Sequence, residues 1–327
     1  MTLANALKHL GRCAATGLLA CTAVTAVAAS YPERPVKIVV GYSPGGATDV
    51  IARLMATELS REMGQPFIVE NRPGAGSNIA TENVLRAAPD GYTLLLLTIQ
   101  NATNMSVYKS VNYDTAKDFT PIAQFMASPS VLVAAPQLGV TDLQSLIAKA
   151  KAEPGTLSFA STGVGGSPHL AGEMLKARAG IDMLHVPYKG TSQAMTDVIA
   201  GNVSTSFMTT LGVLEHMQSG AVKPLAVAYR ERLPELPNVP TMAEAGIADF
   251  EVVSWNGLAA PADTPPEVVK ALGEALERIL AKPEIQERVR GLGGQTVIHG
   301  PGEFAAYVQS EIDKWGEVVQ TAGISLD

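Results

Sequence analysis

Val36-Lys37-Ile38-Val39-Val40-Gly41-Tyr42-Ser43-Pro44-Gly45-Gly46-Ala47-Thr48-Asp49-Val50-Ile51 decides the fold class. Its first five residues are β-branched and apolar apart from Lys37, the signature of a strand buried on both faces. A Pro-Gly-Gly turn follows, then an apolar stripe at Val50, Ile51, Leu54, Met55 and Leu59, which predicts a helix over 48–63. Thr48 or Asp49 is placed to cap its start.

The same order continues outward. Phe67-Ile68-Val69 reads as a strand, 78–88 as a helix, and Leu94 to Leu97 as a third continuous apolar strand. Successive strand–helix–strand units of this spacing imply a parallel sheet with helices on both faces. An apolar stretch over 122–135, interrupted by Ser128-Pro129-Ser130, looks like a crossing into a second unit. There the logic repeats, with helices over 142–152, 169–179 and 192–200 and strands over 157–160, 184–186 and 203–207. A Pro-rich segment covers 233–240, Val252 to Leu258 is a return strand, and helices over 266–281 and 301–321 close the chain.

The opening residues read as an export signal. Lys8, His9 and Arg12 precede an apolar run from Cys13 to Ala28 that ends in the small-x-small pattern Ala26-Val27-Ala28. That run is shorter than the roughly 20 residues a spanning helix needs. Leu18-Leu19-Ala20-Cys21 also resembles a lipobox, which would place a lipid on Cys21; soluble export is the favoured expectation. Both cysteines lie in this leader, so residues 30–327 offer no disulfide, thiolate or Cys-based metal chemistry. Removing 1–29 takes away two of the 24 basic residues and none of the 31 acidic ones, leaving 22 against 31. This balance argues against nucleic acid and anionic membrane surfaces as partners. With 46% hydrophobic residues, the remainder can bury two modest cores, and two lobes are expected.

In open α/β sheets ligands sit at the carboxyl ends of strands, where helices begin. Two loops occupy such places: Gly41 to Asp49, and Ser161-Thr162-Gly163-Val164-Gly165-Gly166-Ser167-Pro168-His169. Both are rich in glycine and hydroxyls, and neither holds a basic side chain. Glycine lets backbone N–H groups approach a ligand, and the helix start behind each loop carries partial positive charge, an arrangement suited to a carboxylate. Ordinary strand-to-helix turns are the alternative reading. Gly41-Tyr42-Ser43-Pro44-Gly45 also matches a G-x-S-x-G nucleophile elbow, which would make Ser43 an esterase nucleophile. However, the N–H after the serine belongs to the oxyanion hole, and Pro44 has none. Pro168 stands where a dinucleotide fingerprint needs its third glycine, no lysine completes a phosphate loop, and the histidines lack ligand spacing. No enzyme, cofactor or metal is expected. Gln100 and Asn101, just past the third strand, are expected to face a cleft. Tyr188 and Asp197 flank a further loop containing Lys189; Asp197 is read either as a contact for a ligand amino or hydroxyl group or as a solvated residue.

Eight stretches together resemble one family, from Tyr31-Pro32-Glu33-Arg34-Pro35-Val36 and Pro44-Gly45-Gly46-Ala47-Thr48-Asp49 through Glu70 to Ser77 and Pro89 to Leu94. His169 to Glu173, Val186 to Gly190, Leu236 to Thr241 and Ser254-Trp255-Asn256-Gly257-Leu258 complete the set. The chain resembles the Bug-type extracytoplasmic substrate-binding receptors of tripartite tricarboxylate transporters. The resemblance implies an α/β, two-lobed Venus-flytrap fold of the periplasmic-binding-protein kind (type II-like), each lobe a mostly parallel sheet, with two crossing strands as hinge. Lobe 1 would comprise 30–127 and 256–327, and lobe 2 residues 128–255. The implied ligand is a small carboxylate, whether a di- or tricarboxylate, an amino acid or an aromatic acid. It would be held by Tyr42, Ser43, Gly45, Gly46, Ala47 and Thr48 on one side and by Ser161, Thr162, Gly163, Ser167 and His169 on the other, with Asn101, Tyr188 and Asp197 nearby. A periplasmic monomer delivering its ligand to membrane permease subunits, or reporting it to a membrane sensor protein, is the implied context. Asn256 and Gln100-Asn101 occupy places that vary among relatives and add amide groups suited to a polar ligand.

Overall fold

A computed structural model describes residues 31–326 apart from Lys189. The expected leader over 1–29, its cleavage site and the alternative at Cys21 lie outside the described residues, as does the reading of Lys189.

β1 (Val36–Val40), β2 (Phe67–Asn71) and β3 (Thr93–Thr98) form a parallel sheet in the order β2-β1-β3. β4 (Phe119–Ala134), β9 (Val253–Pro261) and β10 (Gln295–His299) extend it antiparallel. In the second sheet β5 (Ser158–Ser161) lies parallel between β6 (Leu184–Pro187) and β7 (Thr205–Thr209). β7 and β8 (Lys223–Ala228) then flank the far half of β4. The result is two lobes joined through β4, each a mixed sheet rather than the mostly parallel one expected, because antiparallel β4, β8, β9 and β10 continue the parallel strands.

β4 is continuous where the sequence suggested an interruption. Through Pro129 it pairs with β9, and from Ser130 onward with β7 and β8. Proline cannot donate to a ladder, so Pro129 fits the point at which the partners change. Ser128 Oγ ties this crossing to Gly293 O at 2.7 Å, and Ser130 N–H donates to Val252 O at 3.0 Å.

The continuous apolar strands have a simple cause: both faces are covered. Ile38, Leu94 and Leu96 face a core filled by α1 (Ala47–Met63) and α8 (Pro266–Leu280), through Ile51, Met55, Leu59, Leu272 and Leu276. Val50, expected in that stripe, is exposed. Lobe 2 has its own core of Val131, Val133, Met195, Val198 and Val213, which draws on α6 (Thr191–Ala200) and α7 (Thr210–Gln218). The opposite faces of both lobes share one further core containing Val39, Leu95, Phe159, Leu170 and Trp255. It is covered by α3 (Ile99–Val107), α5 (Ser167–Ala179) and α10 (Pro301–Ala322). α10 straps this seam with Phe304, Val308, Trp315 and Val319. Its Glu311, buried among them, accepts from the indole N–H groups of Trp255 and Trp315, both at 3.0 Å. α2 (Asn78–Leu85), α4 (Leu143–Ala152) and α9 (Pro283–Gly291) complete the helices named here.

Candidate functional site

The carboxyl ends of β1, β3, β5, β6 and β7 converge on one cavity between the lobes, about 340 Å³ in volume. Each strand leads into a helix, directly or through a short loop, so the cavity is ringed by helix starts. α1 begins at Gly46 (φ −78°, ψ 165°) and α5 at Gly166 (φ −71°, ψ 159°), nearly the same geometry, and neither start is capped by a side chain. The starts of α6 at Gly190 and α7 at Thr209 likewise lack a side-chain cap. First-turn N–H groups have no partner within their own helix and carry the positive end of its dipole. No Lys, Arg, Asp or Glu lines the cavity among the described residues. Among the described residues the positive potential at the site therefore comes from the backbone.

On the lobe-1 side the loop is held from below. Asp49, 2% exposed, accepts from Gly45 N–H and Arg53 Nε, both at 2.9 Å, and from Asn71 Nδ2 at 2.7 Å. Burial works against its charged form, but hydrogen bonds from Arg53, Gly45 and Asn71 outweigh it and hold the carboxyl below its usual range. Asp49 thus organises the loop rather than facing a ligand. Tyr42 OH reaches Thr98 Oγ1 at 3.0 Å and Gln100 Oε1, which fixes the ring at the cavity wall. Burial pushes the Tyr42 phenol up to about 12. At Gly41 the Ser77 hydroxyl occupies the space a Cβ would take, 1.8 Å from its ideal position.

On the lobe-2 side two neutral histidines support the glycine loop. Gly165 N–H donates to His169 Nδ1 at 3.1 Å, and His169 stacks on His185 with ring centroids 3.8 Å apart. His185 Nε2 meets Ser161 Oγ at 2.6 Å, and Ser161 Oγ also accepts from Gly163 N–H at 3.1 Å. Burial lowers His169 to about 3 and His185 to about 4; the neighbouring His185 and Lys176 add to the effect on His169. Loop and imidazoles form one neutral, hydrogen-bonded block. Ser167 Oγ lies 3.4 Å from Ser254 Oγ of β9, the point where the loop touches the strand that leads back to lobe 1.

Of the residues expected from sequence, Tyr42, Thr48, Thr162 and Ser167 line the cavity. Ser43, Gly45, Gly46 and Ala47 form an exposed lip beside it. Ser161 and His169 are buried beneath the loop, and half-buried Gly163 belongs to the same hydrogen-bonded turn. Asn101 corrects an expectation: it is fully buried and does not face the cleft. Its Oδ1 accepts from Thr98 N–H at 2.8 Å and its Nδ2 donates to Thr81 Oγ1 at 2.8 Å, so it serves the start of α3. Its neighbour Gln100 is the amide that reaches the cavity. Tyr188 OH and Asp197 Oδ2 bond each other at 2.5 Å, outside the cavity lining, and Asn202 takes the other Asp197 oxygen. Among the described residues Ser43 has no bonded histidine; the Ser–His contact present is the part-buried Ser161–His185 pair. Sequence reasoning missed Thr191, Met208, Thr209 and Ser254 as lining residues. Thr191 and Thr209 sit at strand-to-helix junctions, so the carboxyl-end rule applied to β6 and β7 would have found them.

The described residues include no helix long and apolar enough to cross a membrane, and no group of three or more His, Cys, Asp or Glu placed to hold a metal. Comparison with known proteins gives a match over residues 51–324 to the family described as "Tripartite tricarboxylate transporter family receptor". Protein BugT of Bordetella pertussis is 36% identical over 299 residues, covering 91% of this chain and 92% of its own. The solved structure of R. palustris Rpa4515 with adipate superposes with a TM-score of 0.80 at 34% identity, covering 90% of this chain and 100% of that one. MatC from Rhodopseudomonas palustris, with bound malate, gives 0.77 at 33% identity, covering 88% and 100%.

Proposed function

Because this chain belongs to the tripartite tricarboxylate transporter receptor family, we propose that it closes its two lobes around one small aliphatic carboxylate and presents it to a membrane transporter outside the cytoplasm. Family membership makes it a solute receptor and not an enzyme. One observation carries the ligand class: helix starts from both lobes, uncapped by side chains, meet at a cavity whose described lining residues carry no charge. Charge-assisted hydrogen bonds contribute roughly 1.5–3 kcal/mol each. Three or four of them supply about −8 kcal/mol, a micromolar dissociation constant. The volume of about 340 Å³ is at the small end for ligand pockets and suits an acid of a few carbons. Adipate in Rpa4515 and malate in MatC support acids of that size.

The test is a thermal-shift series on the purified protein with mono-, di- and tricarboxylates, each beside its neutral amide. At a concentration of about 100 Kd, a true ligand adds roughly 2.7 kcal/mol of stability. Acids are expected to shift the melting temperature and their amides to leave it unmoved. Equal shifts from amide and acid would remove the anion cradle from the account.

A further inference from the structure

One carboxamide in the cavity has no bond within the described residues. Asn256 is 8% exposed, lines the cavity, and its carboxamide makes no hydrogen bond to the described residues. Its place in β9 is instructive. It pairs with Thr98 of β3, and the next residues on the same face, Leu258 and Ala260, enter the lobe-1 core. Asn256 therefore stands where that apolar face gives way to the cavity. A leucine there would simply continue the core. The amide atoms of Asn256 open into the cavity rather than being sealed in the core, so whatever occupies the cavity completes their bonds.

A second carboxamide shares the cavity. Gln100 follows Thr98 at the start of α3, and its Oε1 is taken by Tyr42 OH. That bond turns its Nε2 into the free end, and no described residue accepts from it. The cavity thus holds one amide N–H₂ of fixed orientation and one complete, unpaired carboxamide.

We propose that Asn256 and Gln100 are the specificity-determining pair of this site, and that they read one neutral hydrogen-bonding group, a hydroxyl or carbonyl, carried by the acid in addition to its carboxylate. The inference rests on the carboxylate reading above. A hydroxyl can donate to Asn256 Oδ1 while accepting from an amide N–H, whereas an alkyl chain leaves both amides unpaired. An ammonium group would find no carboxylate among the described lining residues. Sites built to bond a polar substituent discriminate against the analogue that lacks it far more strongly than apolar pockets discriminate by size.

Isothermal titration of the purified protein with matched acids tests this: malate against succinate, 2-hydroxyglutarate against glutarate, and 3-hydroxybutyrate against butyrate. In at least one pair the hydroxy acid is expected to bind about tenfold more tightly or better, a difference of about 1.4 kcal/mol. Asn256→Leu should bring that ratio to within about twofold of one, and Gln100→Leu should lower it in part. Should Asn256→Leu fail to fold, Asn256→Ala carries the same expectation. Acids that bind with no preference for the hydroxyl, or a preference that survives at Asn256, overturn the specificity pair and leave the carboxylate reading intact. Binding of none of the acids overturns both.

Discussion

Gly41→Ala is the sharpest test of how the lobe-1 loop is held. A Cβ built at Gly41 lies 1.8 Å from Ser77 Oγ, 2.5 Å from Ser77 Cβ and 2.9 Å from Ser77 Cα. The hydroxyl could rotate away, but the two carbons are fixed by the backbone, and carbons ordinarily meet at about 3.5–4.0 Å. Overpacking of this kind costs about 1–3 kcal/mol, and two immobile contacts place Gly41→Ala near the upper end. Ser77 is itself unfavourable. Its φ of +78° is left-handed, and its buried hydroxyl has no partner. Ser77→Gly relieves about 1–2 kcal/mol of backbone strain, against about 0.5–1 kcal/mol of added chain entropy, and is expected to be neutral or stabilising. In the double variant the 1.8 Å and 2.5 Å contacts disappear and the 2.9 Å contact to Cα remains, so about 2 of the 3 kcal/mol should return. Urea denaturation of the four proteins measures the cycle. Gly41→Ala should also melt about 6–12 °C lower, at about 2–4 °C per kcal/mol. If Gly41→Ala is as stable as the parent, or costs the same with Gly at 77, the packing argument fails.

Two further outcomes follow from buried polar groups. His169 is neutral in the fold, its pKa lowered to about 3 while the unfolded chain titrates near 6.5. Its contribution is therefore complete above pH 6.5 and is lost as pH falls toward 3; between pH 7 and 5 the protein should lose about 2 kcal/mol that His169→Gln does not lose, and parallel urea midpoints would refute this. Glu311→Ala leaves the indole N–H groups of Trp255 and Trp315 without their acceptor and should cost about 3 kcal/mol, with Glu311→Gln losing about half; an Ala variant of parental stability would refute the role.

Much of this architecture was legible because it is local. The strand at Val36–Val40, the glycine turn and the helix after it follow from β-branching and a 3.6-residue stripe within a short stretch. α3 was not legible. Its Gln-Asn-Ala-Thr-Asn stretch is a poor helix former, and the helix exists because Asn101 and Asn104 find partners at Thr81, Gly76 and Asn78, more than twenty residues earlier or close to it in the chain. That same tertiary dependence hid the burial of Asn101. β8 and β10 escaped notice because each forms only by pairing with β4, far away in sequence. At the site, the two glycine loops declared themselves through composition. Asn256 was already marked in the sequence as an amide suited to a polar ligand, whereas Met208 and Ser254 required knowing which strands cross beside them.

That no described residue lining the cavity is basic has a consequence for how such a receptor works. A buried arginine would bind an anion strongly from one lobe alone, and a ligand held by one lobe does nothing to favour closure. Here the positive potential is divided between α1 on lobe 1 and α5, α6 and α7 on lobe 2. If each lobe contributes two charge-assisted bonds, one lobe supplies about 3–6 kcal/mol and both supply about twice that. A ligand shifts an equilibrium only by its difference in affinity for the two states. That difference is then several kcal/mol, enough to take a minor closed state to dominance, since about 5.5 kcal/mol carries a population from 1:99 to 99:1. Dividing a weak cradle between two lobes makes occupancy and closure nearly the same event, and a closed shape is what a membrane partner can distinguish from an empty receptor.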